Sequence, residues 1–402
     1  EGWRRIGEVR VGDRVLTRHD KTKDSTWERV SHTWQVQEPT MISFVSPSVD
    51  LLVSPGHTMV YENQGGTVFR QEARVTAGLT GYRIPLTSQW VGRSVDTLYG
   101  FAAKDWMAFL GWYIAEGWTF KSGTIGIAQS LTANPHKHKI ILELLQQMGI
   151  ISSVMDQRGF LVSAKRLPEA AKEELASLGL SHEKYIPSWY LDLDRSLLRA
   201  FLDAYLMGDG HIRQRPHHRE PHATAYTVSR RLADDLQHLA QKIGLRSYLR
   251  TRNRPHGGTI RGRKIQSQRM SYEVSFGTDA SCKYTALKRT EVPYGRTAHC
   301  VTVANHAVYV RRNGKPCWSG NSNLHLSLID KNMRKSKPLF VGLLTNVQPV
   351  VSFMSLSPQG MGLEPMVEQE FHWLLMQRMD AFEKIVVATD HMLQAGFSLL
   401  KV

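Results

Sequence analysis

The sequence predicts a β-rich domain interrupted by an inserted α+β domain of two repeated halves, with a short, mainly helical segment at the C-terminal end. Three observations predict it. Strand-like stretches bounded by turn residues occupy 1–95 and return at 286–321, an internal repeat lies between them at 96–285, and the composition shifts to Met- and Leu-rich helical patterns over 322–402. At 402 residues the chain has room for roughly two to four domains.

Composition narrows the classes. With 42% hydrophobic and 22% charged residues the chain is core-forming rather than disordered. Its longest apolar runs, such as Leu339–Leu344, fall far short of the roughly 18 residues that suggest a membrane span. No basic-then-apolar leader opens the chain, so secretion has no support and the expected location is cytoplasmic. Cys282, Cys300 and Cys317 are too few and too dispersed for a disulfide framework or a four-thiolate zinc site.

The first β part reads from "VGDRVLT", "MISFV", "DLLVS" and "HTMVY", which cluster β-formers between Gly, Pro and Asp. Helical periodicity follows at Trp106–Ala115, His138–Met148, Leu197–Met207 and Ser229–Ile243. The repeat is visible inside this region. "FLGWYIAEG" at Phe109–Gly117 is echoed by "LDAYLMGDG" at Leu202–Gly210, and "LLQQMGIISSVM" by "LAQKIGLRSYLR". Gly149 follows Gly117 by 32 residues and Gly244 follows Gly210 by 34, so one supersecondary unit occurs twice, as a monomer with an internal pseudo-two-fold would have it. The strands then resume as "CVTVAN" and "AVYVRR" with an Asn313-Gly314 turn, and Met366–Phe382 reads as a helix.

Charge locates the partner. Lys and Arg number 51 against 36 Asp and Glu, a net +15, and 322–402 holds seven of each, leaving 44 against 29 in 1–321. The span from Arg246 to Arg269 carries Arg246, Arg250, Arg252, Arg254, Arg261, Arg263, Lys264 and Arg269 and no acid. Interleaved Tyr248, Ile260, Tyr272, Val274 and Phe276, with a Gly257-Gly258 turn, predict a basic hairpin. A two-stranded ribbon fits the DNA major groove, and its Arg side chains reach phosphates or guanine edges.

Each repeat ends its apolar helix in acid-Gly: Glu116-Gly117 and Asp209-Gly210. Gly111 and Ala115, with Ala204 and Gly208, let the two helices approach closely and bring both acids to the pseudo-two-fold axis. Paired carboxylates suit Mg²⁺, which binds oxygen and contacts phosphate. Taken singly, acid-Gly is a helix stop with Gly as cap. Two copies in a longer repeat favour the metal reading, because an acid at a helix C-terminus is unfavourable unless something binds it.

These nonapeptides resemble the paired motifs of LAGLIDADG (DOD-type) homing endonucleases, in the two-motif form found within inteins. The resemblance implies an α+β endonuclease with pseudo-two-fold αββαββα repeats. It implies that Glu116 and Asp209 are the metal-binding catalytic acids, that Mg²⁺ is the cofactor, and that double-stranded DNA of the intein-free host gene is the substrate. "KYIPSWYL" resembles the family's Lys-x-Ile-Pro block, which makes Lys184 the lysine assisting chemistry.

The flanking β pieces resemble the two halves of an intein (Hint) splicing domain, at 1–95 and 286–321. "LLVSPGHTMVY" carries Ser54 and His57 where the family has Thr-x-x-His, "HCVTVANHAVYVRR" resembles the penultimate block, and "GKPCWSGNS" the C-terminal junction. The resemblance implies that His57 activates the N-terminal scissile peptide with the Ser54 hydroxyl as its partner. Asn321 cyclises and Ser322 supplies a hydroxyl nucleophile. The penultimate His of the family is Gly320 here, and His306 is the expected substitute if the fold returns it to the junction. Cys300 stands where many inteins have Asp, as an acyl-transfer thiol or a small buried hydrophobe. Cys317 reads as packing. The chain opens at Glu1, inside the first block, without the family's first-residue Cys or Ser, so full splicing is not expected of this stretch.

Residues 322–402 are then expected to be a fragment of the host protein, the C-extein joined in cis, and are faintly similar to phage portal proteins. Two other readings stay open at this level. One is a splicing element whose endonuclease binds DNA without cutting; the other is a portal-like structural protein carrying the intein as passenger.

Overall fold

In the computed structural model of the chain, the described residues are 2–76, 80–155, 158–213, 222–253, 258–260, 263–265, 269–321, 337–338, 341–342 and 351–395, with the backbone alone for 152, 258–260, 263–265 and 390–395. The chain forms two compact units, Glu1–Ser322 and Asn323–Val402.

Within the first unit, strands from both ends of the sequence share every sheet of the β part. One sheet runs Ser25–Arg29, Arg14–Arg18, Ala307–Arg312, Lys315–Gly320. A second runs Ser281–Lys283, Arg83–Pro85, Thr58–Glu62, Val68–Glu72, and a third joins Lys288–Thr302 to His32–Val45 and Asp50–Val53. Neither half could bury its apolar faces without the other. Phe44, Tyr61 and Ile84 from the first half pack with Cys282, Tyr284 and Cys317 from the second, all buried. The Asn313-Gly314 turn has positive φ at both residues (49° and 78°), the geometry that a two-residue hairpin with right-handed twist requires. Strand Ser281–Lys283 pairs with Arg83–Pro85, so the boundary read at 285/286 moves earlier, behind the insert's last strand at Ser271–Gly277.

Among the described residues the insert contains five α-helices: α1 (Ala103–Glu116), α2 (Pro135–Gln147), α3 (Glu169–Ser177), α4 (Arg195–Asp209) and α5 (Arg230–Lys242). Helix α4 begins where the Asp194 carboxylate accepts from the Ser196 and Leu197 amides, and α5 where the Ser229 hydroxyl accepts from Leu232. Following α1, a sheet runs Gly117–Thr119, Ile125–Ala128, Gly159–Val162, Ile151–Met155. Following α4, another runs Gly210–Arg213, His222–Thr227, Ser271–Gly277, Arg246–Arg252. Numbered along each half, both have the order 1-2-4-3, with a helix between the second and third strands. Side chains of α1 and α4 (Trp106, Phe109, Trp112, Phe201, Tyr205) form the centre of one continuous core.

The two basic ribbons differ from the sequence expectation. Arg246–Arg252 pairs with Ser271–Gly277 inside the second sheet, and beyond it Gly258–Ile260 pairs with Arg263–Ile265. Gly258 therefore opens a strand, and Gly257, the other residue of the expected turn, lies outside the described residues. In the second unit, Met366–Phe382 is not one helix. Glu364–Trp373 runs into a wider π turn at Leu374–Arg378, the chain breaks at Asp380 with φ 49°, and a new helix spans Ala381–Ala395.

Candidate functional site

The acid pair stands where α1 and α4 pack most closely. A Cβ on Gly111 would meet the Phe201 carbonyl oxygen at 2.5 Å, and one on Gly208 would meet Ala115 Cβ at 2.4 Å and Glu116 Cγ at 3.3 Å. Small residues at these points are thus a condition of the helix approach. The two motif glycines are not left-handed caps, because Gly117 and Gly210 have φ −101° and −118°. They are glycines for space: a Cβ would stand 2.7 Å from the Tyr113 carbonyl oxygen in one case and 2.3 Å from that of Leu206 in the other. Gly149 and Gly244 do take left-handed conformations, φ 69° and 78°, as helix-ending glycines should.

Desolvation and the Glu116 carboxylate together push the Asp209 carboxyl up to about 7, against the pull of Lys184 and Lys137. Glu116 is half-buried and raised by desolvation, with Lys137 and Lys184 pulling it back. Asp209 keeps an exposed face, open to solvent and to a bound cation. Among the described residues no group of three or more His, Cys, Asp or Glu forms a metal-holding cluster. Two mutually repelling carboxylates with an open side still fit a hard divalent cation, which completes its shell with water, carbonyl or phosphate oxygens.

Lys184 is buried beneath them, and its ammonium donates to the carbonyls of Tyr113 (2.5 Å), Gly117 (2.6 Å) and Ile114 (3.0 Å). All three of its protons are thereby engaged at the C-terminal end of α1. That location differs from a lysine aimed at a reacting group. Desolvation lowers its pKa to about 8, opposed by Asp209 and Glu116.

A second cluster lies in the β part. Asn321 is buried, with Oδ1 3.2 Å from His306 Nδ1, and its Nδ2 has no hydrogen-bond partner among the described residues. His306 adopts φ 51°, a left-handed conformation uncommon for a residue with a Cβ. The preceding Asn305 fixes this turn. Its Nδ2 donates to Glu28 (2.6 Å) and Thr17 (3.2 Å), its N–H donates to Glu28, and its carbonyl accepts from Arg70. At Gly320 a Cβ would stand 2.0 Å from the Thr58 carbonyl oxygen, so the strand excludes a side chain there.

His57 is buried, and desolvation lowers its imidazole to about 4, so it is neutral at pH 7. Its Nε2 lies 2.9 Å from the Ser319 hydroxyl. Ser54, the expected partner, accepts from the His57 backbone N–H through its own carbonyl (3.0 Å). Cys300 sits in mid-strand opposite Trp34 with its thiol 3.7 Å from the Val301 carbonyl oxygen, and Cys317 is a buried core residue. Ser322 lies outside the described residues.

The third feature is a cleft on the open face of the second sheet. Alternation aims Arg246, Tyr248, Arg250 and Arg252 into it, while Ser247 and Leu249 are buried on the opposite face. Neighbouring strands add His211, Arg213, Thr224 and Tyr226. Arg246 pairs with Asp279 (3.0 Å) and Arg252 with Glu273 (2.8 Å), whereas Arg250 is exposed. Arg269 is exposed outside the cleft lining. Arg263 and Lys264 lie on the outer ribbon, and Arg254 and Arg261 lie outside the described residues.

Sequence reasoning missed Ser319, Asn305, Arg213, Lys137 and Lys315. The first two act through hydrogen bonds 262 and 277 residues apart, which no local pattern signals. Arg213, three residues beyond Gly210 on the strand after the second motif, was findable by strand alternation.

Comparison with known proteins gives partial matches. The chain is 21% identical over 375 residues to the ATP-dependent Clp protease proteolytic subunit of Chlamydomonas moewusii, covering 84% of this chain and 36% of that protein. It is 24% identical over 260 residues to the DNA-directed RNA polymerase subunit beta C-terminal section of Stigeoclonium helveticum, covering 54% and 24%. The chain thus spans about a third or less of the curated relatives it matches. Among solved structures, it is similar at 10% identity to a splice-inactive variant of the AceL NrdHF class 3 split intein, covering 79% of this chain and 88% of that one, with a TM-score of 0.29. It is similar at 12% identity to I-DmoI in complex with DNA and Mn, covering 44% and 90%, with a TM-score of 0.27. Residues 196–273, from the first turn of α4 into the strand Ser271–Gly277, match the family model described as a LAGLIDADG-like domain.

Proposed function

We propose that the chain is an intein with an inserted DNA endonuclease: the β part cleaves the peptide bond after Asn321, and the insert cuts double-stranded DNA. The observation that carries this reading is the placement of Asn321, buried at the end of the last strand, with Oδ1 against His306 and Nδ2 unpartnered among the described residues. A buried amide nitrogen without a partner is expensive in a merely structural residue. Here that nitrogen is the nucleophile. It attacks its own backbone carbonyl carbon, the bond to the nitrogen of residue 322 breaks, and a five-membered imide forms. The proton lost by Nδ2 leaves with the new amine, and His306 orients the carboxamide and carries the proton.

The N-terminal half of the reaction uses the neutral His57 held by Ser319, as an imidazole able to accept or donate a proton at a scissile peptide. Cys300 and Ser322 are the acyl-accepting nucleophiles in this reading, and 322–402 is the C-extein fragment. In the insert, Glu116 and Asp209 hold the divalent cation, Mg²⁺ in this proposal. When bound there, it supplies charge stabilisation at the phosphodiester oxygens. Lys184 ties off the end of α1 and so fixes where Glu116 stands. The cleft Arg side chains hold the duplex by its phosphates.

The pattern of the curated matches supports an element rather than a host activity. A protease subunit and a polymerase subunit share no chemistry, yet each matches this chain over a minority of its own length. The test is release of the 322–402 segment from the purified chain, followed by mass spectrometry. Asn321→Ala is expected to abolish release; a mutant that still yields the segment overturns the cyclisation.

A further inference from the structure

The hairpin that ends at the splice junction also reaches the basic cleft of the insert. Its turn leaves the β part and joins the insert's second sheet: the Gly314 carbonyl accepts from the Leu249 amide (2.9 Å) and from Gln237 Nε2 (3.0 Å). A Cβ on Gly314 would stand 2.0 Å from the Leu249 carbonyl oxygen, so the backbones meet as only glycine permits. On the adjacent strand Arg311 is bound by Asp234 (2.5 Å) and Gln237 (2.8 Å) of α5. These contacts fix Lys315, the first residue after the turn, in the wall of the cleft that Arg246 and Arg250 also line. Its ammonium lies 5.7 Å from the Tyr248 ring centroid and donates to the Ser46 carbonyl (2.7 Å). Among the described residues no ion pair holds Arg213, Arg250 or Lys315, and Glu273, paired with Arg252, is the one carboxylate among the residues that line the cleft, so cations from two parts of the chain outnumber it there.

We propose that the duplex-binding groove is a composite surface, completed by the splicing hairpin, with Lys315 as a phosphate contact. The occupant is the backbone of double-stranded DNA. An elongated polyanion is what matches cations spread along a sheet face, and a lysine serves there as a point charge for phosphate. The proposal rests on the reading of the cleft as the DNA site.

The experiment measures binding of a fluorescein-labelled duplex of mixed sequence to the full chain by anisotropy across a salt series. Lys315→Ala is expected to lower the slope of log K against log salt by roughly 0.9, weakening all sequences alike, and Lys315→Arg to retain the slope. Arg250→Ala, measured in parallel, tests the cleft itself. If Arg250→Ala flattens the slope and Lys315→Ala does not, the composite surface is overturned while the cleft stands. If neither changes it, the cleft reading falls together with the proposal.

Discussion

His306 Nδ1 lies 3.2 Å from Asn321 Oδ1 across fifteen residues of chain, and the residue beside Asn321 cannot carry a side chain at all. The two facts belong together. A penultimate histidine would put its Cβ against the Thr58 carbonyl, so the imidazole at this junction comes from the neighbouring turn. His306→Ala is expected to slow release of the C-terminal segment by about 10²-fold or more, the usual scale for loss of an acid–base group. Gly320→His is expected not to restore it. Segment release followed on gels over time checks both.

The left-handed φ of His306 separates function from stability. Such a conformation costs about 1 kcal/mol or more for a residue with a Cβ and none for glycine. His306→Gly should therefore leave the thermal midpoint unchanged or raised while release fails. Asn305→Ala should slow release although the His306 imidazole is retained, because it unties the turn that positions it from Glu28 and Thr17. A His306→Gly chain that is both destabilised and active would contradict this assignment.

Packing of α1 on α4 predicts a steric effect. Gly111→Ala would force a methyl to 2.5 Å from the Phe201 carbonyl oxygen, and backbone must yield. Overpacking of this kind costs roughly 1–3 kcal/mol. The helices can part only by moving Glu116 relative to Asp209, so DNA cleavage should fall further than stability does. Chemical denaturation and a cleavage assay on the same protein test the difference.

The acid pair predicts a pH dependence. Asp209 rises from 3.8 to about 7 in the folded chain, so between these values the native state binds more protons than the unfolded one. Stability contributed by this group is accordingly present below the unfolded value and lost as pH rises through the folded one. Mg²⁺, which binds the ionised form, should reverse that loss, and its stabilising effect should grow from pH 6 to 8. Cleavage should rise over the same window and decline above about 8, where Lys184 loses the proton that completes its cap. Asp209→Asn should remove both the pH slope and the Mg²⁺ effect on the melting midpoint.

How much of this was legible in the sequence follows from the range of each interaction. The helices around Trp106 and Phe201, the alternating strands and the Asn313-Gly314 turn have local periods or local turn chemistry, and sequence reading found them. The close helix approach was legible too, through Gly111, Ala115, Ala204 and Gly208. Less accessible was the direction of single side chains. Nothing local says that Ser319 meets the His57 ring, or that Gly117 is glycine for space instead of for φ. The cleft lay between these extremes: its charge was evident from Arg246–Arg269, but the face was decided by register, which put Arg250 and Arg213 in the cleft and left Arg269 outside its lining.

Lys184 gives the sharpest distinction between chemistry and architecture in the insert. Its ammonium donates to three carbonyls at the end of α1, below both acids. Lys184→Met would leave those carbonyls without their donor, each unsatisfied group costing roughly 1–3 kcal/mol, partly offset by removal of a desolvated charge. A net loss of about 2 kcal/mol is expected. Lys184→Arg should not rescue it, because a planar guanidinium cannot converge three N–H groups on one point as an ammonium does. Cleavage should fall in both variants as Glu116 loses its fixed position, while the salt dependence of duplex binding stays unchanged, since Lys184 does not line the cleft. A Lys184→Met chain that melts like the parent but cannot cut would place the lysine in the chemical step, and the capping assignment would then be wrong.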